Sequence, residues 1–408
     1  MNTKNEYIVM AKPVGSRCNM ACRYCYYLGK GQYSMHEKQT VMSRPVLEKM
    51  IRQLIKSSTG PVVSIVWHGG EPTLAGLDFY KEAVAIEKKY LPRGWQIWNN
   101  LQTNGMLIDE AWCEFLRDNH WDVGVSIDGT KAAHDLNRLM PKKPMSDPKE
   151  CKYEAGNCLP QGKMPIQSEI KEKICGLMDD TGPVSAWDRT AESIRMLKAA
   201  GVPVDLLCTV NSETIKDPES VYDALKAFET GWMQFIPIVV RRQDENMELS
   251  PESVTPEQYG EFLCRVFDRW LGCRDVGKVH VQLFEETARA WKGQKPSLCW
   301  MQETCGRALI VEEDGAVYSC DHFVDPNHRL GNIRETDLGE LADSSAQTAF
   351  GLYKRDALSD ECRSCQWRCA CNGGCPKDWV SVDGGQPRYF LCEGLKMFFS
   401  HAWAAMRR

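Results

Sequence analysis

Three cysteines in one short loop, Cys18-x3-Cys22-x2-Cys25, are the first residues of the chain whose type and spacing point to chemistry. Thiolates are soft ligands suited to zinc or to an iron–sulfur cluster, and a closed structural site takes about four of them. The fourth position is then either open to a small molecule or filled by a distant residue such as His36. A second set lies toward the C-terminus: Cys299-x5-Cys305-x14-Cys320, then Cys362-x2-Cys365-x5-Cys371-x3-Cys375, then Cys392. These eight residues suffice for two four-ligand sites, iron–sulfur or of the zinc-ribbon kind that a CX2C pair also suits. Cys369 is left over, and Cys151, Cys158 and Cys175 stand apart from both sets. The total of 19 is odd, so the cysteines cannot all pair as intramolecular disulfides.

Such loops need a scaffold, and hydrophobic periodicity supplies one. The apolar run 7–10 predicts a strand leading directly into the Cys18 loop, and Ser43 is placed to cap a helix with Val46, Leu47, Met50, Ile51, Leu54 and Ile55 on one face. Strands are expected at 62–67, 96–103, 122–127, 202–210 and 233–239, with helices at 77–90, 109–118, 187–200 and 221–228 between them. Alternation of this kind implies parallel βαβ units in an α/β fold, a barrel or partial barrel of six strands with its site at their carboxyl ends. Those ends carry the Cys18 loop, His68-Gly69-Gly70-Glu71-Pro72, Gln102-Thr103-Asn104-Gly105 and Ser126-Ile127-Asp128-Gly129. Residues 139–185, rich in Lys, Pro, Gly and Asp, read as an insertion, and beyond Pro296 strand and helix periodicity fades as cysteines accumulate. The expected domains are a barrel over 1–240 containing that insertion, a connecting helical segment over 241–295, and a cysteine-rich domain over 296–408.

Composition excludes several classes. With 43% apolar and 26% charged residues the chain is an ordinary globular protein, and a net charge of −5 gives no general attraction for nucleic acid. No run approaches the ~18 apolar residues of a membrane span, and the opening residues lack the apolar core of a secretory signal. A cytoplasmic location is expected, where clustered thiols serve metals or redox chemistry.

The CX3CX2C spacing, with Tyr24 before the last cysteine, resembles the radical S-adenosylmethionine superfamily, and Gly69-Gly70-Glu71-Pro72 resembles its GGE motif. The resemblance implies a 4Fe-4S cluster on Cys18, Cys22 and Cys25 whose open iron takes S-adenosyl-L-methionine. It further implies cofactor contacts from Tyr24, Gly69, Gly70, Glu71, Ser126, Asp128 and Arg138. The C-terminal cysteines resemble the SPASM domain, which carries two auxiliary 4Fe-4S clusters. By that likeness Cys299, Cys305, Cys320 and Cys375 would hold the first, and Cys362, Cys365, Cys371 and Cys392 the second.

Within the superfamily the chain is most similar to the anaerobic sulfatase-maturating enzymes. The likeness runs through residues 18–27, 68–77, 101–105, 135–138, 318–321 and 329–333. The reaction implied is oxidation of a peptidyl Cys or Ser in an unfolded sulfatase to Cα-formylglycine, with an electron donor such as flavodoxin or ferredoxin. Asp321 would be the catalytic base, and Tyr27 and His68 would lie at the substrate site. His68 stands where some members carry glutamine, His322 follows Asp321 where an aromatic is common, and the 139–185 insertion has no counterpart. The alternative is a SPASM-type maturase that forms thioether or carbon–carbon crosslinks in a ribosomally made peptide.

Overall fold

In a computed structural model, which describes residues 7–33, 41–140, 185–241, 248–381 and 385–406, the first strand, β1 (Ile8–Ala11), leads directly into the Cys18 loop. Strands β2 (Val62–Trp67), β3 (Gln96–Thr103), β4 (Asp122–Ser126), β5 (Val204–Val210) and β6 (Trp232–Pro237) follow where the periodicity predicts them. Helices Arg44–Ser57, Leu77–Tyr90, Glu110–Asp118, Ala186–Ala199 and Pro218–Lys226 fall between them. The chain then adds β7 (His280–Val281), β8 (Ala308–Val311), β9 (Ala316–Tyr318) and β10 (Arg329–Asn332). Sequence periodicity misses β8 to β10 because segments of three or four residues complete no recognisable period. Nearly all of the expected insertion, with Cys151, Cys158 and Cys175, lies outside the described residues, as does His36.

The chain forms two units. The first comprises Met1–Ser126, Asp135–Val204 and Arg307–Gln347. Its strands run in the order β10-β9-β8-β1-β2-β3-β4. Strands β1 to β4 are parallel and β8 joins β1 in parallel, whereas β9 and β10 fold back as antiparallel neighbours. Strand β8 therefore brings the Asp321 segment to the edge of β1, the strand that delivers the cysteine loop. Ser43 does hold the N-cap position of its helix, but its side chain makes no capping bond; a proline in the first turn presets the backbone instead. Asp109 caps the next but one, its carboxylate accepting from Trp112 N at 3.0 Å. Trp67 stacks on Trp121 and meets Tyr80 edge-on in a fully buried aromatic core.

The second unit comprises Ile127–His134, Asp205–Gly306 and Thr348–Arg408, with β5, β6 and β7 parallel to one another. Helix Cys392–Met406 lies along helix Pro256–Gly272 at a glycine contact, where a Cβ on Gly394 would stand 2.0 Å from Pro256 O. Phe267, Phe284 and Phe398 close the core beside it.

Candidate active site

Close packing of two loops builds the floor of the first unit's site. After β2, His68 N donates to Ala11 O at 2.9 Å, Gly70 N to Gly15 O at 2.9 Å and Glu71 N to Arg17 O at 2.8 Å. A Cβ on Gly70 would lie 2.0 Å from Arg17 O, and one on Gly69, whose φ is 136°, would lie 2.7 Å from Gly15 O. Only glycine permits that approach. The double glycine thus locks its own loop against the segment entering Cys18.

Glu71 is fully buried and takes four donors. Its Oε1 accepts from Thr73 N at 3.0 Å, Thr73 Oγ1 at 2.6 Å and Thr103 Oγ1 at 2.8 Å, and its Oε2 from Asn104 N at 2.8 Å. Burial raises its carboxyl and these donors oppose the rise. The acidic residue of the motif therefore ties the end of β2 to the end of β3. Asn104 continues the chain: its Nδ2 lies 2.8 Å from Asn19 Oδ1 and 3.7 Å from Cys18 Sγ. The sequence places Asn104 at a strand end, within Gln102-Thr103-Asn104-Gly105, but assigns it no role.

The three thiols of the loop are near enough that Cys22 and Cys25 both act on Cys18, which burial pushes well above the usual thiol range. Arg138 lies over the Tyr24 ring at 5.7 Å, both side chains buried, and the loop is anchored by Ala21 N to Leu139 O at 2.8 Å and Arg23 N to Asn137 O at 3.0 Å. Ser126 Oγ accepts from Gln102 Nε2 at 3.1 Å. Asp128 belongs to the second unit, fully buried, with its Oδ1 accepting from Thr209 N at 3.0 Å.

Asp321 follows β9 in a single 3-10 turn, Asp321–Phe323. Lys12, fully buried at the end of β1, places Nζ 2.5 Å from Asp321 Oδ1, and the Tyr26 hydroxyl donates to Oδ2. Burial raises the Asp321 carboxyl, but the opposing influences, Lys12 foremost, together more than offset this and hold it well below the usual carboxylate range. Lys12 Nζ also lies 3.0 Å from His68 Nδ1 and 4.2 Å from the centre of the Tyr27 ring. Gly69 N donates to the same His68 nitrogen at 2.7 Å. Burial and the Lys12 charge lower His68 to about 3, so the ring is neutral with its proton on Nε2. Tyr27 is buried, its hydroxyl donating to Glu312. Its neighbour Tyr26, 40% exposed, is the tyrosine that reaches Asp321, and neither Tyr26 nor Lys12 was singled out from sequence.

In the second unit Cys362, Cys365, Cys371 and Cys392 line one cavity together with Trp367 and Phe399. All sixteen described cysteines are free of disulfides. Among the described residues no three donors converge as a single-ion site requires. Soft thiols ranged around an apolar cavity suit a multi-iron cluster bridged by its own sulfide. Cys299, Cys305 and Cys375 also belong to this unit, and Cys320 to the first.

Comparison with known proteins agrees with this donor chemistry. Residues 13–151 match the family model of the Radical SAM superfamily, and residues 299–366 that of an iron–sulfur cluster-binding domain, SPASM. The chain is 39% identical to a serine-type anaerobic sulfatase-maturating enzyme of Bacteroides thetaiotaomicron, over 96% of this chain and 88% of that one. It is 32% identical to a cysteine-type enzyme of Clostridium perfringens, over 97% and 96%. The solved structure of native anSMEcpe with bound AdoMet superposes with a TM-score of 0.79 at 28% identity, covering 98% of both chains.

Proposed function

The chain belongs to the anaerobic sulfatase-maturating enzymes, and from that membership we propose how its residues share the work. It is a radical SAM oxidoreductase that converts a peptidyl Cys or Ser of a sulfatase to Cα-formylglycine. Its fold is the radical SAM partial barrel followed by a SPASM domain. S-adenosyl-L-methionine and the iron–sulfur cluster, when bound, supply the radical that takes hydrogen from a strong C–H bond, for which no side chain suffices.

Cys18, Cys22 and Cys25 hold the cluster that carries the cofactor, with Asn104 fixing the Cys18 end of their loop. Gly69, Gly70 and Glu71 shape the wall beside it, and Tyr24, Ser126, Asp128 and Arg138 are assigned to the cofactor. Two auxiliary clusters, making three in all, sit on Cys299, Cys305, Cys320 and Cys375 and on Cys362, Cys365, Cys371 and Cys392. The barrel takes residues 1–240, a helical connection 241–295 and the auxiliary domain 296–408. A cytoplasmic flavodoxin or ferredoxin supplies electrons; no helix among the described residues is long and apolar enough to cross a membrane.

Asp321 is the base. The Lys12 ammonium keeps it ionised while weakening it as a base, and Oδ2 accepts the proton of the substrate thiol or hydroxyl once the Tyr26 hydroxyl moves aside. His68 and Tyr27 bracket Lys12 and thereby position the base. The Lys12–Asp321 ion pair beside the cysteine loop carries this reading.

Its test is anaerobic incubation of the reconstituted enzyme with S-adenosylmethionine, reductant and a peptide containing Cys/Ser-x-Pro-x-Arg, followed by mass spectrometry with a carbonyl probe. We expect an aldehyde on the Cys or Ser, absent in Cys18→Ala and reduced at least ~100-fold in Asp321→Asn. Undiminished aldehyde in Asp321→Asn would remove the base assignment, and a crosslinked product would replace the reaction.

A further inference from the structure

Lys354 lies in helix Ser345–Asp356 and is fully buried. Its Nζ donates to Trp300 O at 2.7 Å and to Gln302 O, while Asn372 Nδ2 donates to Met301 O at 2.7 Å. Three successive carbonyls of the Cys299–Cys305 loop are thus held by side chains. The backbone of the helix meets the same loop: Cys305 N donates to Gly351 O at 3.0 Å, and a Cβ on Gly351 would stand 2.9 Å from Cys305 O.

Holding carbonyls requires a donor but not a full charge. An ammonium taken out of water costs several kcal/mol unless an opposite charge goes with it, which is why buried lysines are found paired. Among the described residues Lys354 has no carboxylate partner. Burial pushes the Lys354 ammonium toward its neutral form, and the groups placed to oppose that are sulfurs, Cys305 first, then Cys371, Cys299 and Cys375. Thiolates ligating a cluster would supply the missing countercharge, because ligation keeps them deprotonated.

We infer that Lys354 is the counter-cation of the auxiliary cluster on Cys299, Cys305 and Cys375, and that its charge favours that cluster's reduced form; the inference rests on the cluster assignment above. Reduction adds one negative charge to the cluster, and a fixed cation in a low-dielectric surrounding stabilises the more negative state. The oxidation of Cys or Ser leaves an electron to be taken up, and Lys354 makes this cluster a better acceptor for it.

The experiment is an EPR-monitored redox titration of the reconstituted holoenzyme, with iron and sulfide analysis, in wild type, Lys354→Gln, Lys354→Met and Lys354→Arg. Gln keeps a neutral donor for the carbonyls, Met keeps only the bulk, and Arg keeps the charge. Expected is an equilibrium constant for reduction of one auxiliary cluster lowered about tenfold in both Gln and Met, which for a one-electron couple is ~59 mV more negative, with Arg close to wild type. Unshifted potentials in a fully loaded Gln or Met variant overturn the inference and leave Lys354 a carbonyl cap. Should Gln and Met fail to load iron, loading in Arg sustains the charge requirement and failure in Arg overturns it. Wild type that binds only about four irons per chain would instead remove the auxiliary clusters themselves.

Discussion

Lys12 Nζ stands 2.5 Å from Asp321 Oδ1, the ammonium wholly buried and the carboxylate 14% exposed. Removing one member of a buried pair strands the other, at about 3–5 kcal/mol, whereas removing both leaves no charge behind. Lys12→Met is therefore expected to lower the thermal midpoint of the anaerobically reconstituted enzyme sharply, and Asp321→Asn less, since His68 still accepts from Lys12. The double variant should lose less than the sum of the two. Additive losses would show the residues to be uncoupled.

Adjacent tyrosines divide between base and core. The Tyr26 hydroxyl donates to Asp321 from an exposed ring, and the Tyr27 hydroxyl donates to Glu312 from a buried one. Burial, with Glu313 alongside, pushes the Glu312 carboxyl well up, so losing a donor there leaves an unsatisfied buried group worth about 1–3 kcal/mol. Tyr27→Phe should lower the melting midpoint. Tyr26→Phe should leave the midpoint near wild type and change aldehyde formation per enzyme, as read in the peptide assay. Equal effects of the two on both readouts would contradict this division.

The sequence made the cysteine sets and the βα frame legible because both are local: ligand spacing is counted along the chain, and β2 and β3 each span a full period. Lys12 escaped notice because nothing in the stretch after β1 distinguishes a buried ammonium from a solvated one. Its importance comes from β8 pairing with β1, which brings Asp321 across some three hundred residues of chain. Glu71 shows the opposite case. Its motif was evident, but its four protein donors come partly from β3 and could be counted only in three dimensions.

Stability should also depend on pH through Glu87. This carboxyl accepts from Asn99 Nδ2 at 3.0 Å, Asn99 in turn accepts from Trp67 Nε1 at 2.8 Å, and burial raises Glu87 from 4.5 to about 7. The native chain then keeps a proton that the unfolded chain releases. The Glu87 contribution to stability is thus full below pH 4.5, falls as pH rises toward about 7, and is flat above it. The span corresponds to about 3 kcal/mol. Glu87→Gln, neutral throughout, should flatten this part of the profile in urea unfolding of the apoprotein across that range. A wild-type profile that rises over the same interval would place the proton elsewhere.

Cys369 and Cys371 sit two positions apart and should differ completely in consequence. The short helix Arg368–Cys371 turns Cys371 into the cavity shared with Cys362, Cys365 and Cys392, while Cys369 is exposed and does not line it. Burial pushes the Cys371 thiol up to about 12, so it is a poor thiolate unless a metal takes the place of its proton. Cys371→Ala should therefore cost the reconstituted enzyme about four irons with their sulfide. Cys369→Ala should retain the full complement and the same absorbance spectrum. If Cys369→Ala lost iron while Cys371→Ala kept it, the ligand register along this helix would have to move by two residues, and the cavity would belong to something other than a cluster.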